Sequence, residues 1–289
     1  MKNLTQVIAS AVFASVVGVG SISYAQDDHP GFATVVRVQG IASYNLGDGM
    51  WHPLVAGKAL AAGSTIRTGE NGTVDIILGK KIPFPQSRGI PSRISPAPDA
   101  TVRGFVSDVP AAQQNAIRLT PGSEMAIDKL SINDTGADTV SDTELNLTKG
   151  RLFGSVKKLS AASQYLVKIP NGIAGIRGTE FELGADDSVA CYSSESGGLT
   201  LVLYVNGQTI TFNVTPGQMV EPGTISGSNG SSSGTQPITD PIMNLLSNVF
   251  KTLNTTYNVV VNYDYNDNNL YISSVTGDGY KSPSKSPVY

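Results

Sequence analysis

The sequence predicts a mainly β protein: a rolled β architecture, sandwich- or solenoid-like, of many short strands, plus a small C-terminal helix and β-hairpin. Three observations predict it. Short runs of alternating apolar and polar residues recur along the chain. Turn signals, drawn from 31 glycines and several Asn-Gly pairs, separate nearly all of these runs. A single segment near the C-terminus has helical spacing instead.

At the N-terminus, Lys2 precedes an apolar run from Val7 to Gly20 and then Ser23-Tyr24-Ala25. This is the pattern of a secretory signal peptide over residues 1–25, cleaved after Ala25. The run falls short of the ~20 residues that span a bilayer, and no later segment is apolar enough, so no transmembrane span is expected in the mature chain. An exported protein follows, with the periplasm as the preferred destination and an extracellular or outer-membrane-associated one as the other.

The β body is expected over residues 26–222. Candidate strands are Thr34 to Val38, Ser64 to Thr68, Thr73 to Leu78, Ala116 to Thr120, Glu124 to Ile127, Glu144 to Leu147, Arg151 to Lys157, Gln164 to Ile169, Thr179 to Leu183, Val189 to Tyr192, Leu199 to Val205 and Gln208 to Val214. The clearest hairpin joins the last two, because Asn206-Gly207 supplies the two positive φ angles of a type I′ turn. Asn71-Gly72 and Asn171-Gly172 are read as further tight turns. A proline-rich insertion at residues 79–116, with Pro83, Pro85, Pro91, Pro96, Pro98 and Pro110, interrupts the series.

After Glu221 the composition changes to a Gly/Ser-rich linker over residues 223–237. Residues 238–276 then read as a helix plus hairpin. Ile242, Leu245, Leu246, Val249, Phe250 and Leu253 mark one helical face, with Asp240 as N-cap and Pro241 at the first helical position. Tyr257 to Tyr265 alternates, and Leu270 to Val275 can pair with it. Residues 277–289 read as a disordered tail. Helix and hairpin are distantly similar to half of the short docking domain of secretins, but no second helix follows, so they are expected to pack on the β body.

The ordered set Gly57-x-x-Leu60-x-x-Gly63-x-x-Ile66-x-Thr68-Gly69, Leu119-x-Pro121-Gly122-Ser123, Leu145-x-Leu147-x-x-Gly150-x-Leu152 and Ile169 to Leu183 resembles the FecR-type domain family of bacterial envelope proteins. The resemblance runs from about Val35 to Val220. Its most specific element is Arg177, Gly178, Thr179 and Phe181, with Gly175 just before. It implies a rolled β fold and a sensing or protein-interaction role in the envelope. Only Met1–Gln6 precede the apolar run, so control of a sigma factor by a cytoplasmic segment of this chain is not expected.

Within that element Ile176 falls on an even position and Phe181 and Leu183 on odd ones, so a bulge at Gly175 or Gly178 is expected to bring them to one face. Arg177 has two readings. It presents its guanidinium to a partner, or, preferred here, it bonds backbone carbonyls exposed at the kink.

The composition argues against several other chemistries. Formal charge is −3, or −4 once Lys2 is removed, and the paired lysines Lys80-Lys81 and Lys157-Lys158 read as solvated strand ends, so nucleic acid is not expected as partner. The only histidines are His29 and His52 and the only cysteine is Cys191, so no metal site, cofactor or intrachain disulfide is expected. Asp27, Asp28 and His29 are read as solvated, and the run Asp264 to Asn269 as a polar hairpin loop that lacks the spacing of a calcium loop.

No catalytic residue is assigned. His52 is the only candidate base in the body and lies between Trp51 and Pro53; Glu180 and Glu182 are placed on a solvated strand face. The expectation is a non-enzymatic domain that binds an envelope protein through strand edges, the insertion or the face near Arg177. The alternative is a glycan-binding or wall-associated module that stacks sugars on Tyr44, Trp51 and Tyr192.

Overall fold

The computed structural model describes residues 29–80, 102–110, 115–134, 139–221, 234–254, 256–264 and 269–275. The signal segment, most of the insertion, most of the linker and the C-terminal tail lie outside the described residues. In chain order the strands before the insertion are β1 (His29–Pro30), β2 (Phe32–Gln39), β3 (Ala42–Asn45), β4 (His52–Pro53), β5 (Ala59–Leu60), β6 (Thr65–Thr68) and β7 (Thr73–Gly79); β8 (Val102–Pro110) lies within it. Then come β9 (Asn115–Leu119), β10 (Glu124–Asp134), β11 (Thr139–Lys149), β12 (Arg151–Ser155), β13 (Gln164–Ile169), β14 (Gly172–Ile176), β15 (Thr179–Gly184) and β16 (Val189–Ser194). The chain ends with β17 (Leu199–Val205), β18 (Gln208–Val214), β19 (Gln218–Val220), β20 (Gln236–Pro237), α1 (Asp240–Leu253), β21 (Thr256–Asp264) and β22 (Asn269–Val275).

Two large sheets face each other. The first runs β18-β17-β14-β13-β11-β10-β6-β3-β4, with β1 also on β10; the second runs β20-β19-β16-β15-β12-β9-β7-β2-β5. Their inner faces supply one core: Ile66, Met125, Leu145, Leu147, Val167 and Leu201 from the first, and Val35, Ile76, Ile117, Leu152, Phe181 and Leu183 from the second. Strand alternation sends every second residue into this layer; the first sheet reads as half-buried strands, such as β11, β13 and β17, whereas β2, β7, β12 and β15 of the second are buried on both faces.

The chain winds by switching sheets. It leaves the second sheet at Gly40, touches it again as β5, crosses back from β6 to β7 near Gly69, leaves again through Thr120–Ser123 and returns at Gly150. Three of these corners need a positive φ: +68° at Gly40, +69° at Gly122 and +79° at Gly150. Space forbids a side chain at Gly150 as well, because a Cβ would come within 2.3 Å of the Ser123 hydroxyl. Corner backbone groups are satisfied by hydroxyls. The Ser123 Oγ accepts from the Arg151 N–H and donates to the Arg151 carbonyl, both at 3.0 Å, while the Thr68 Oγ1 accepts the Ser123 N–H at 2.8 Å and donates to the Thr120 carbonyl at 2.7 Å.

Nearly all pairings are antiparallel. The exception is β11 with β13, which run parallel from Asp142↔Gln164 to Asn146↔Lys168 because the chain crosses to the second sheet as β12 and comes back. The Asn206-Gly207 turn has both φ angles positive, +52° and +76°, as the dipeptide predicts. The other two Asn-Gly pairs differ. Asn71-Gly72 lies at a sheet switch, where a Cβ on Gly72 would meet the Ile41 carbonyl oxygen at 2.1 Å. The second tight turn is Pro170-Asn171, with Gly172 already paired to Ile169; a Cβ on Gly172 would lie 2.1 Å from the Val202 carbonyl oxygen.

β10 and β11 run eleven residues each, well past the expected Glu124 to Ile127 and Glu144 to Leu147, since Leu130 and Ile132 continue the inward alternation through a polar stretch. The insertion is not separate from the C-terminal region: β8 pairs with β21, and β21 with β22, forming a third sheet from the two segments. The segment read as linker ends in structure too, because Gln236–Pro237 pair with β19.

Helix α1 lies on the outer face of the second sheet. Leu246, Phe250 and Leu253 are buried there against Ala116, Phe153, Ala190 and Met219. Phe250 meets the Phe153 ring edge-on at 6.3 Å and stacks on Tyr192 at 5.3 Å. The N-cap is Thr239, one residue before the expected Asp240, and Leu245 is exposed, so the buried stripe is narrower than the spacing suggests. The C-cap Asn254 anchors the other end: its Nδ2 donates to Glu180 Oε1 at 2.6 Å and its Oδ1 accepts from Ser155 at 2.8 Å. Truncating Phe250→Ala removes the centre of this cluster and is expected to cost about 3–5 kcal/mol, read as a lower urea midpoint.

Candidate functional site

The corner at Arg177–Gly178 carries the chain from β14 in the first sheet to β15 in the second. This switch accounts for the phase change between Ile176 and Phe181, and it corrects the expected bulge: each residue faces the common core from its own sheet. Gly175 keeps unbroken register with Leu166 and Thr200, and a Cβ there would meet nothing nearer than 3.9 Å. The slip in pairing comes later, between Glu180 and Phe181 of β15 where they face β16.

Each residue of the corner has a physical task. Gly178 has φ +60°, and a Cβ would lie 2.9 Å from Ser196 Oγ and 3.3 Å from Lys158 Cα. Thr179 is buried; its Oγ1 lies 3.0 Å from the Arg177 carbonyl oxygen, 3.2 Å from that of Gly198 and 3.2 Å from the Ser194 hydroxyl. Ser194 in turn donates to the Gly178 carbonyl and accepts from the Gly198 N–H, so two hydroxyls join two neighbouring corners. Phe181 fills the core opposite Gly154, where a Cβ would come within 2.4 Å of its ring.

Arg177 itself is exposed, and its Nη2 donates to the Leu159 carbonyl at 3.3 Å. That carbonyl belongs to the crossover between β12 and β13. The crossover is fixed elsewhere as well: the Lys157 N–H donates to Asn115 Oδ1 at 2.9 Å, Ser163 Oγ accepts the Ser141 N–H at 3.0 Å, and Ser163 Oγ lies 2.8 Å from Ser160 Oγ.

On its other side the crossover walls a cleft of about 450 Å³, lined by Leu78, Gly79, Lys80, Asn115, Ile132, Thr139, Ser141, Lys158, Leu159 and Ser160. It opens at the rim between the two sheets. Lys80 and Lys158, assigned from sequence to separate solvated ends, both line it, and among the described residues none of its lining is acidic.

The remaining candidates scatter. Glu180 and Glu182 were expected on a solvated face, but Glu182 is buried and paired with Arg151, while Glu180 accepts from Ser193 and Asn254. The outer face of the second sheet is covered here, which is why both carboxylates have partners. His52 lies on β4 with its ring 5.4 Å from Tyr44 and its Nε2 3.9 Å from Asp48 Oδ2. His29 lies on β1, exposed. Cys191 is buried, which pushes its thiol up to about 12. Among the described residues no group of three or more His, Cys, Asp or Glu could hold a metal ion. No helix there is long and apolar enough to cross a membrane. Tyr192 lies under α1, whereas Tyr44 and Trp51 stand at the margin of the first sheet, with Arg67 4.0 Å over the Trp51 ring. The three aromatics do not share a face.

Sequence reasoning missed one charged cluster. Arg37, Asp75 and Arg118 are register partners on β2, β7 and β9, on the face away from the core. Asp75 is fully buried; Arg118 grips it with two bonds of 2.7 and 2.8 Å, and Arg37 pairs with it from the other side. The signal was present as single charges inside apolar runs, V-V-R-V, V-D-I-I and I-R-L.

Compared with known proteins, residues 107–198 match the family model described as FecR protein. No curated protein and no solved structure matches the chain. The match starts in β8 and ends just after Gly197, so it contains the Arg177 corner and the crossover.

Thr179→Val removes a hydroxyl shared by two corners and is expected to cost about 1–3 kcal/mol, whereas Arg177→Ala loses one exposed bond and stays within about 1 kcal/mol; urea titrations of both variants check the contrast. Asp186 titrates below its ordinary value: burial pushes it up, but the Ser188 hydroxyl and N–H and then Arg151 outweigh that. A depressed carboxyl stabilises the fold above its unfolded value near pH 4 and loses that contribution as pH falls through the folded value. Asp186→Asn is therefore expected to lose less stability than the wild type between about pH 5 and pH 2, read by urea midpoints.

Proposed function

We propose that the protein is an exported, non-catalytic recognition module that works by protein contact in the cell envelope, with the periplasm as its compartment; the match of residues 107–198 to the FecR protein family model supports this reading. FecR-type domains are generally sensing or regulatory modules, and residues 1–25 have the pattern that would direct export.

The observation that carries this reading is the edge of the first sheet. β18 ends the strand order, and the seven residues from Gln208 to Val214 include no charge and no proline. The two-residue hairpin closes at Val205↔Gln208, so ladder bonds to β17 fall at Gln208, Ile210, Phe212 and Val214. The N–H and C=O groups of Thr209, Thr211 and Asn213 then point to the open side, and all three residues are exposed. An extended segment of an envelope protein can add there as a further strand. The glycan-binding alternative has less support, because Tyr192 is taken up by the helix.

A photo-reactive residue at Thr211, in the native envelope, is expected to capture one protein. Thr211→Pro removes an outward N–H while leaving the β17 ladder, so capture by a probe at Asn213 is expected to vanish with the fold intact. Capture of nothing above background, or capture unchanged by the proline, rejects the strand-addition reading.

A further inference from the structure

The outer face of the first sheet is divided by charge. From β6 to β13 it carries the ion pairs Arg67–Glu124, Lys168–Asp128 and Lys168–Glu144, whereas β14, β17 and β18 contain no charged residue. We propose that this uncharged half-face binds a second copy of the chain, with Tyr204 of each copy seated over Gly175 of the other. Ile173, Thr200, Val202, Thr209, Thr211 and Asn213 form the surface around those two: the core takes the residues between them, and the three threonines and the asparagine are exposed. The contact uses side chains of the face and leaves the β18 backbone edge open, so it stands whether or not that edge takes an envelope protein.

Gly175 is the recess. A glycine inside a strand weakens it and marks a place where something approaches the backbone closely. Neither backbone nor packing within the chain requires this one: its φ is not positive, and a Cβ would meet nothing nearer than Leu166 Cδ2 and the Thr200 carbonyl oxygen, both at 3.9 Å. It therefore leaves a gap in the outer face between its register partners Leu166 and Thr200. Tyr204 is the matching knob. It is 61% exposed on the same face, one strand over and four residues along from Thr200, about 13 Å away along the strand. Its N–H donates to the Asn171 carbonyl at 2.7 Å, which fixes the backbone from which the ring projects.

A knob and a recess on one face make that face self-complementary. A twofold axis lying in the interface, midway between Gly175 and Tyr204 and perpendicular to the line joining them, lays each ring over the other copy's glycine. Packed sheets stand about 10 Å apart, so a tyrosine that rises from one face needs a position without a side chain on the other. Ile173 and Val202 supply apolar area beside it, and the absence of charge means that no ion has to be stripped of water when the faces meet. The patch is three strands wide, smaller than the ~800 Å² that each partner buries in a standard interface, so the dimer is a weak one with a dissociation constant of about 10–100 µM.

The test is sedimentation equilibrium of the pure protein, taken from its native cells, up to about 0.5 mM, so its outcome does not depend on capture of an envelope protein at β18. A monomer–dimer equilibrium is expected. Tyr204→Ala and Gly175→Val are each expected to weaken it at least about tenfold. Gly175→Val is also expected to keep or raise the thermal midpoint, because the site has room for a Cβ and valine suits a strand, which separates the interface from the fold. An equimolar mixture of the two variants is expected to recover to within about fivefold of the wild type, since in the mixed dimer one tyrosine meets an intact glycine and the added valine meets the truncated position. Thr211→Pro, which blocks strand addition at the edge, is expected to change the dimer less than about threefold. A monomer at every concentration, a dimer that neither face variant weakens, or a mixture no better than its components overturns the proposal. Loss of the dimer in Thr211→Pro with Gly175→Val unchanged assigns the pairing to the edge and overturns it as well.

Discussion

A chain that repeatedly changes sheets must break its ladder at every crossing, and each crossing leaves backbone groups that need partners away from water. Here short hydroxyl side chains supply them: Thr68 and Ser123 at one set of corners, Thr179 and Ser194 at another. Glycines at the same places allow the backbone to turn and to come close to those hydroxyls. Without this stitching the inward alternation of the strands would be correct yet the two sheets would lack a common register, since a slip of one residue turns every side chain over. The corners thus set the register that the core then fills.

This explains why the strands were legible in the sequence and the corners were only half so. Alternation marked β13, β17 and β18 closely, because one face of each is buried in the common layer. The glycines of Gly172–Ile176 looked like turn or bulge residues, although the segment is a central strand, β14, in which Gly172 is required by the nearness of the Val202 carbonyl. A glycine needed for close approach and a glycine needed for a positive φ look identical in one sequence. Arg177, Gly178 and Thr179 could be named from sequence, but the crossover they hold could not, because Leu159 and Lys158 have no signal that ties them to Arg177. Nor could the cleft, whose two lysines are far apart in the sequence.

The outer face of the second sheet shows a different solution for buried polar groups. Across its strands Asp75 is held between Arg37 and Arg118, Glu182 is held by Arg151, and Glu180 by Asn254 and Ser193. On the same face the apolar residues Phe153, which pairs with Glu182, and Ala190 and Met219 beyond it receive α1. A face that sequence alternation marks as outward is therefore not a solvent face, because a helix from a distant part of the chain covers it. Placing carboxylates by strand parity alone fails for this reason. Each needs a partner once the helix has displaced water from around it.

The third sheet has a temporal consequence. Its central strand, β21, comes from the end of the chain, while β8 leaves the ribosome with the first half. Until β21 is made, β8 lacks the strand it pairs with among the described residues, however early the two large sheets close. Such a long-range pairing carries a high loop-closure cost and forms late. Only a chain synthesised past β21 can close this sheet over β8, and one that stops before it leaves β8 with an open strand edge.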